Sequence, residues 1–387
     1  MHGQHEDKPA GPNTRRCGPR KALLVLGALV AAGGGVAYLL YWLLAPTLPR
    51  SLKSHIGPVL SVAFSPDGKT LAAGSAAGLN HPGEIKLWEM ASGQVKATFT
   101  GLTGNIQSVA FSPNGKAIAA GSDVGTIKLW DGAIGKELVA LEHPINTVLS
   151  IAFSPDGNTL AGATAQDAIK LWDVTSGKNT RTLKGTIKGR DRPWFTSVTF
   201  SPDGKILAAG CGFASGGGGV TLWDVASGNE KATLKGHEEI RSVAFSSDGK
   251  TLAAGPGTGT GLSANMDPPN YNPTVRLWDV ASGQGKATLH GHTGSVFSVV
   301  FSPDGKNLAV ASRGKGIGEI RVWDVASGQE RVALKGHTGR VYSLGFSPDG
   351  KTLAAGCADL TSVDEVHRMV RLSFPGEIKL WDLATRH

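Results

Sequence analysis

SVAFSPDGKTLAAG at residues 61–74 and EIKLWEM at residues 84–90 decide the fold of this chain. Close copies of both phrases recur seven times, and the second always contains a tryptophan. Successive tryptophans lie 42, 42, 51, 55, 45 and 58 residues apart, at Trp88, Trp130, Trp172, Trp223, Trp278, Trp323 and Trp381. A repeat of this length indicates an architecture in which each unit packs against its neighbours.

Each piece of the unit has the pattern of a strand or a tight turn. VAF and IKLW alternate apolar and polar residues, or form short apolar runs between turn residues, which is typical of strands. In SPDG, Pro66 fixes φ, Asp67 can bond to its own backbone, and Gly68 tolerates positive φ, so a hairpin turn is predicted. LAAG is small and apolar, as expected of a strand crowded near a central axis. One four-stranded sheet cannot bury both faces, so the sheets are expected to stack in a ring.

Over residues 47–383 the chain resembles the WD-repeat β-propeller family, with strand, turn and Trp-Asp phrases in order in the seven copies, the first of which has Trp88-Glu89 in place of Trp-Asp. The resemblance implies an all-β, seven-bladed propeller and favours binding over catalysis. The family's Gly-His pair precedes the first strand at three positions, His237, His292 and His337, with Ser54–His55 a near match. Leu102 fills that slot in the second repeat, while Val124 and Gln166 replace a structural Asp. These departures argue against a complete His–Ser–Asp–Trp hydrogen-bond network.

The two ends of the chain predict how the ring closes. The last repeat stops at Trp381-Asp382 without a fourth strand, and TLPRSLKSH at residues 47–55 is similar to the missing ATLKGH phrase. We therefore expect residues 47–55 to pair with blade 7 inside a propeller domain of residues 46–387. Such pairing removes sheet edges that would otherwise stay open.

The N-terminal residues predict a membrane anchor. Residues 22–45 carry no charge and span ~36 Å as a helix, enough to cross ~30 Å of hydrocarbon. Five basic side chains lie in the tail of residues 1–21, against only Arg50 and Lys53 after the run, which favours a cytoplasmic N-terminus and an outer propeller. The alternative is a signal peptide cleaved near residues 35–37. Gly27, Ala31 and Gly35 could pair two such helices into a homodimer, although glycine is common in membrane helices generally.

Composition excludes some function classes. The net charge of +8 comes from 39 basic and 31 acidic residues, and the tail alone contributes +3, so the propeller lacks the basic stripe of a nucleic-acid binder. Three cysteines are too few for a disulfide framework, and no cofactor is implied. The near-identical SPDGKTLAAG units resemble bacterial members of the family, which implies a periplasmic propeller.

Connection lengths identify a binding face. Strands A to D of a blade alternate in direction, so the A–B and C–D connections share one face, and their lengths are constant. The B–C connections hold about 10, 5, 5, 9, 19, 8 and 21 residues, and they share the other face with the D–A connections. We call these the constant and variable faces, and we expect partners to bind at the variable face because loops vary without disturbing the scaffold.

Four loops on the variable face supply the candidate partner-binding residues, at residues 185–195, 256–274, 313–318 and 357–377. KGRDRPWF combines cations with an aromatic, which suits an acidic or aromatic partner; the alternative is a solvated loop with Trp194 capping the blade. Tyr271 ends a PPxY match that occurs easily by chance. In the longest loop, Asp364, Glu365 and His367 lack a second His or Cys at metal-ligand spacing, so an amphipathic turn is favoured. The candidates are Lys188, Arg190, Arg192, Trp194, Tyr271, Arg313, Lys315, Asp364, His367 and Arg368.

The sequence therefore predicts a non-catalytic protein-interaction scaffold tethered to a membrane by its N-terminal helix, with a protein partner that the sequence does not identify. The alternative is a propeller enzyme or small-ligand receptor that uses the axial funnel of the variable face. A third interpretation is a sensor whose basic cytoplasmic tail recruits another protein.

Overall fold

The computed structural model describes residues 49–77, 81–141, 147–165, 168–185, 193–213, 217–257, 273–313, 318–337, 339–358 and 375–384. The predicted tail at residues 1–21 and anchor helix at residues 22–45 lie outside the described residues. Within those ranges, no helix is long and apolar enough to cross a membrane.

The described residues form 28 strands. The closing strand and blade 1 are β1 (Arg50–His55), β2 (Val59–Phe64), β3 (Thr70–Ser75), β4 (Ile85–Glu89) and β5 (Val95–Phe99). Blades 2 and 3 are β6 (Ile106–Phe111), β7 (Ala117–Ser122), β8 (Ile127–Asp131), β9 (Glu137–Ala140), β10 (Val148–Phe153), β11 (Thr159–Thr164), β12 (Ala168–Asp173) and β13 (Asn179–Lys184). Blades 4 and 5 are β14 (Pro193–Phe200), β15 (Ile206–Phe213), β16 (Gly218–Asp224), β17 (Glu230–His237), β18 (Ile240–Phe245), β19 (Thr251–Pro256), β20 (Val275–Asp279) and β21 (Gly285–Leu289). Blades 6 and 7 are β22 (Val296–Phe301), β23 (Asn307–Arg313), β24 (Gly318–Asp324), β25 (Glu330–Leu334), β26 (Val341–Phe346), β27 (Thr352–Ala358) and β28 (Gly376–Asp382).

These strands make seven antiparallel sheets of four strands each. The first strand of every sheet contacts the first strand of the next, from β2 through β6, β10, β14, β18, β22 and β26 and back to β2. The seven A strands therefore surround a central channel, and B, C and D follow outward. This arrangement confirms the predicted all-β, seven-bladed propeller.

The ring closes through the N-terminal strand. β1 pairs antiparallel with β28, with Arg50 opposite Leu380 and Leu52 opposite Ile378. Leu52 is buried and packs with both of these β28 residues and with blade 1. The outermost strand of blade 7 thus comes from the opposite end of the chain to its other three strands.

Every A strand has a β-bulge at the same place. In β2, Val59 pairs with Ser75 and Ser61 with Gly74, which leaves Leu60 without a partner across the strand. The six other A–B pairs shift register at the equivalent residue. A bulge adds one residue to one strand and redirects its side chain.

The serine after each bulge links its blade to the next. The hydroxyl of Ser61 accepts a hydrogen bond of 3.0 Å from the backbone N–H of Val109, and Ser343 accepts one of 3.1 Å from Val62. The same bond occurs at Ser108, Ser150, Ser197, Ser242 and Ser298, so seven of them form a closed ring around the channel. Each such bond contributes about 1 kcal/mol to stability.

The LAAG strands are second from the axis, not innermost. Their small residues instead allow the next blade to approach: a Cβ on Gly74 would lie 2.6 Å from the Ile106 side chain. Gly121 and Gly255 meet Val148 and Val296 in the same way. The LAAG positions therefore do require small residues, as predicted, but the reason is the close approach of the next blade and not crowding at the central axis.

The SPDG turns interlock on the constant face. Gly68, with φ +69°, would bring a Cβ within 3.3 Å of the Pro348 ring in the preceding blade, and Gly115 lies in the same way against Pro66. Within each turn the serine hydroxyl bonds to the side chain two residues later, which is Asn114 in blade 2 and an aspartate in the other six blades, as in the 2.6 Å contact from Ser65 to Asp67. This hydrogen bond, aided by the backbone N–H of Lys69, lowers the pKa of Asp67.

Blade 5 breaks this pattern and offers a stability test. Its turn has Ser247 where the other six have proline, although Gly249 keeps the same backbone bond to Ser246 and a φ of +69°. We expect Ser247→Pro to stabilise the protein by about 0.5–1 kcal/mol because proline restricts the unfolded chain. Urea denaturation of Ser247→Pro beside Ser247→Ala measures this, and a lower midpoint for the proline variant contradicts it.

Candidate functional site

The bulges create a set of variable residues around one end of the channel. The bulged residue lies near the start of each A strand, which is its variable-face end. We name these seven residues the rim: Leu60, Gln107, Leu149, Thr196, Arg241, Phe297 and Tyr342. Blades 1 to 3 contribute only apolar and amide side chains, whereas blades 5 to 7 contribute an arginine and two aromatic rings.

The rim side chains of blades 5 to 7 contact one another in order. The Arg241 guanidinium carbon lies 4.4 Å from the centre of the Phe297 ring, within the range of a cation–π interaction. The Phe297 and Tyr342 rings meet edge to face with centroids 5.6 Å apart. Three consecutive blades thereby build one continuous cationic and aromatic cluster, in which Phe297 is buried, with 8% exposure, and Arg241 and Tyr342 are partly exposed.

A second arginine approaches the same cluster. Arg340 is hydrogen-bonded to Tyr342 by its side chain. Burial raises the pKa of the Tyr342 hydroxyl, against the opposing charges of Arg340 and Arg241. The phenol is therefore neutral at pH 7.

Trp194 joins blades 4 and 5 beside this cluster. It is half-buried in β14, and its indole N–H donates a 3.2 Å hydrogen bond to the Glu239 carboxylate, two residues before Arg241. Its ring covers Gly212, where a Cβ would lie 2.9 Å from the indole. Of the two interpretations of Trp194, the contacts favour a structural one that fixes the blade end next to Arg241.

Of the other predicted site residues, only Arg313 lies within the described part of the chain. Arg313 ends β23, where its backbone N–H bonds to Ser295 and its carbonyl accepts from the Thr293 hydroxyl. The remaining eight candidates lie outside the described residues, so their role stays a prediction: Lys188, Arg190, Arg192, Tyr271, Lys315, Asp364, His367 and Arg368. The strands that flank them end at the variable face, as do the A strands at the rim.

The rim residues were missed because they lie inside the repeated phrase. In V-L-S-V-A-F of blade 1, the second residue looks like one more strand position. The available signal is its variability, since Leu, Gln, Leu, Thr, Arg, Phe and Tyr occupy it while the serine after it never changes. An alternating strand pattern does not show the bulge, which only the register reveals.

The family's buried hydrogen-bond network is incomplete in the described blades. His55 and His292 lie against Trp88 and Trp323 at ring distances of 6.1 and 5.6 Å. Neither imidazole nor either indole N–H has a hydrogen-bond partner among the residues described. Burial, reinforced by Lys86, lowers the pKa of His55 to about 3. Burial, reinforced by Arg321, lowers the pKa of His292 to about 4. Both rings are neutral packing groups.

The described ranges hold no group of three or more His, Cys, Asp or Glu that could bind a metal ion. A groove of about 530 Å³ runs between the outer strands of blades 4 and 5, with Lys235, Arg276 and Lys286 in its polar lining. It is open to solvent and lies away from the rim. Cys211 and Cys357 are buried, and their thiols donate hydrogen bonds to the backbone carbonyls of Gly219 and Ala355.

Comparison with known proteins agrees with the geometry. The family model described as "WD domain, G-beta repeat" matches seven segments: residues 46–89, 93–131, 135–173, 177–224, 228–279, 283–324 and 328–361. The chain is 30% identical over 142 residues to the nuclear distribution protein nudF of Emericella nidulans, covering 34% of this chain and 30% of nudF. It is 29% identical over 117 residues to periodic tryptophan protein 2 of Arabidopsis thaliana, covering 30% of this chain and 11% of that protein. Mouse coronin-7 is 43% identical over 44 residues, which is 11% of this chain and 5% of coronin-7. The matches span about a third or less of these relatives.

Proposed function

Because this chain belongs to the WD-repeat family, whose propellers are generally protein-binding scaffolds without enzymatic activity, we propose that it is an interaction platform that binds a protein partner at the rim of blades 5 to 7. The observation that carries the proposal is the contact chain from Arg241 through Phe297 to Tyr342. It lies at the face where connection lengths vary.

The chemistry of the rim favours an acidic segment as the partner. Arginine stacked on an aromatic ring is held in one orientation, and its planar group matches a carboxylate. Aromatic and arginine side chains also dominate the energetics of protein interfaces. An extended peptide with a carboxylate next to an apolar or aromatic residue therefore fits the exposed parts of Arg241 and Tyr342, which the buried Phe297 ring holds in place.

We further propose the finer assignments made from the sequence. Residues 22–45 would anchor the chain in a membrane, with residues 1–21 cytoplasmic and the propeller on the outer side, which is the periplasm in a bacterium. The charge-free run and the asymmetry of basic residues support this placement. The matched relatives named above are eukaryotic and give no support to the bacterial part. Proteolysis of intact cells or spheroplasts tests it, and a propeller protected on the cytoplasmic side contradicts it.

A peptide-binding experiment tests the platform. Full-length protein is screened against an array of random peptides, and the strongest binder is titrated by fluorescence anisotropy. We expect acidic peptides to be enriched, and Arg241→Gln to raise the Kd about tenfold or more because a charged hydrogen-bond partner is lost.

The matched control is Gln107→Ala, at the equivalent rim position of blade 2, which should leave the Kd unchanged. Tyr342→Phe keeps the ring and removes only the hydroxyl that bonds to Arg340, so an intermediate loss is expected. Absence of any enriched peptide, or equal binding by Arg241→Gln and the wild type, would overturn the proposal.

A further inference from the structure

The groove between blades 4 and 5 has an excess of positive charge. It lies between the outer strand of blade 4 and the two outer strands of blade 5, and its volume is about 530 Å³. Its charged lining residues are Lys235, Arg276 and Lys286, and no acidic residue of the described part of the chain joins them in the lining. A concave site whose charges share one sign attracts ions of the opposite sign.

Arg276 lies at a position that is cationic in most blades. Two residues before the repeated tryptophan, six blades have a lysine or an arginine: Lys86, Lys128, Lys170, Arg276, Arg321 and Lys379. In blades 2 and 6 the first residue of the outer strand compensates this charge, because Glu137 lies 2.8 Å from Lys128 and Glu330 lies 2.5 Å from Arg321. In blades 1 and 7 a glutamate two residues before the lysine does so at 2.8 Å, in the pairs Glu84–Lys86 and Glu377–Lys379.

Blade 5 lacks an acidic residue at both of these places. Glu137 and Glu330 lie opposite the repeated tryptophan on the outer strand, and the residue in this register position of blade 5 is Gly285. Two residues before Arg276, blade 5 has Thr274 where blades 1, 6 and 7 have glutamate. Blade 5 therefore keeps the cation of the pattern and has neither of the carboxylates.

The space that a glutamate fills in blades 2 and 6 is open in blade 5. A Cβ on Gly285 would have no other atom within 4 Å. Blade 3 also has a cation, Lys170, without an acidic residue at either place, but Asn179 lies in its register position. The Asn179 amide fills that space and donates hydrogen bonds to the backbone carbonyls of Leu171 and Arg181.

The groove contains two cations that the chain itself does not compensate. Lys286 donates a 3.1 Å hydrogen bond to the Thr251 hydroxyl, and its charge interacts with that of Asp279. Among the residues that the structure describes, Arg276 and Lys235 form no ion pair and no side-chain hydrogen bond. The planar guanidinium of an arginine is well suited to a carboxylate because it donates two parallel hydrogen bonds.

We propose that this groove binds a carboxylate that comes from outside the chain and that lies against Arg276, with Lys235 adding a second positive charge. The pairs Lys128–Glu137 and Arg321–Glu330 identify the chemistry, because they show which group occupies the equivalent place in blades 2 and 6. The carboxylate belongs either to a small polycarboxylic acid or to an acidic peptide segment. This inference is independent of the proposed function, since the groove lies away from the rim.

Isothermal titration calorimetry of the full-length protein in detergent tests the site and its source of carboxylate. The probes are citrate and an acetylated, amidated triglutamate peptide, with the matching triglutamine peptide as the control. Both titrations use an Arg241→Gln background, so that the rim does not contribute. We expect binding of one ligand per chain. Binding of citrate alone supports a small acid as the ligand, and binding of triglutamate supports a peptide segment, whereas binding of neither would overturn the proposal.

Substitutions of Gly285 locate the binding. Gly285→Glu gives blade 5 the internal carboxylate of blades 2 and 6 without altering Arg276, and it should raise the Kd about tenfold or more, as should Arg276→Gln. Gly285→Gln adds a side chain of the same size without charge and should raise the Kd less. Lys170→Gln removes the equivalent cation of blade 3 and should leave the Kd unchanged. Equal Kd values for Gly285→Glu and Gly285→Gln, or no effect of Arg276→Gln, would contradict a carboxylate at Arg276.

Discussion

Replacing Arg50–His55 with a glycine-serine stretch of equal length is expected to abolish the single cooperative unfolding transition. The change removes the β1–β28 ladder and the buried Leu52 side chain. Burial of a leucine contributes about 1.5–3 kcal/mol, and each hydrogen bond of the ladder about 1 kcal/mol. Together these contributions approach roughly 5 kcal/mol, which is the lower end of the 5–15 kcal/mol range of free energies of unfolding for folded domains.

Calorimetry of the full chain measures this effect. The variant should melt at a lower temperature and over a broader range, with blade 7 separating first. Lys96→Ala in the exposed part of β5 is the control and should leave the profile unchanged. An unaltered melting curve for the replaced strand would refute the closing role of β1.

The second large effect is expected at a buried ion pair in β28, the strand that pairs with β1. The Glu377 carboxylate is fully buried and lies 2.8 Å from the Lys379 ammonium and 3.6 Å from that of Lys53. Lys379 also donates a 2.7 Å hydrogen bond to Ser51 in β1. We expect Lys379→Ala to destabilise the protein by about 3–5 kcal/mol because it leaves a buried charge poorly compensated.

Urea denaturation separates this effect from that of a surface pair. Lys53 is exposed, so Lys53→Ala should cost less than about 1 kcal/mol. The double variant Glu377→Gln with Lys379→Met removes both charges and should recover much of the loss. If Lys379→Ala and Lys53→Ala have equal, small effects, Glu377 is not held by Lys379.

Much of the fold follows from the sequence because each local signal has a direct cause. The Trp-Asp and SPDG phrases mark strand ends and turns, and seven copies predict seven sheets. TLPRSLKSH also predicted a strand, and residues Arg50–His55 of that phrase pair with β28. The LAAG phrase showed that small residues are needed, but it did not show which side chain packs against them. That side chain is Ile106 for Gly74, and it belongs to the next repeat.

The site was less predictable than the fold. Loop composition directed attention to residues such as Arg192 and His367, whereas the described contacts are made by Arg241, Phe297 and Tyr342 within strands. Their proximity depends on the bulge and on the ring bringing blades 5 to 7 together. Neither the local pattern around one residue nor the loop lengths contain that information.

The bulge divides two tasks between adjacent residues. Ser242 bonds to the next blade, while Arg241 beside it is the bulged residue of the strand. A substitution at the bulged position of one blade can therefore change the variable-face end of the channel while the hydrogen bonds between blades are kept. New specificities are reachable by single substitutions, and a propeller with seven such positions is a suitable starting point for evolving or engineering recognition of another ligand.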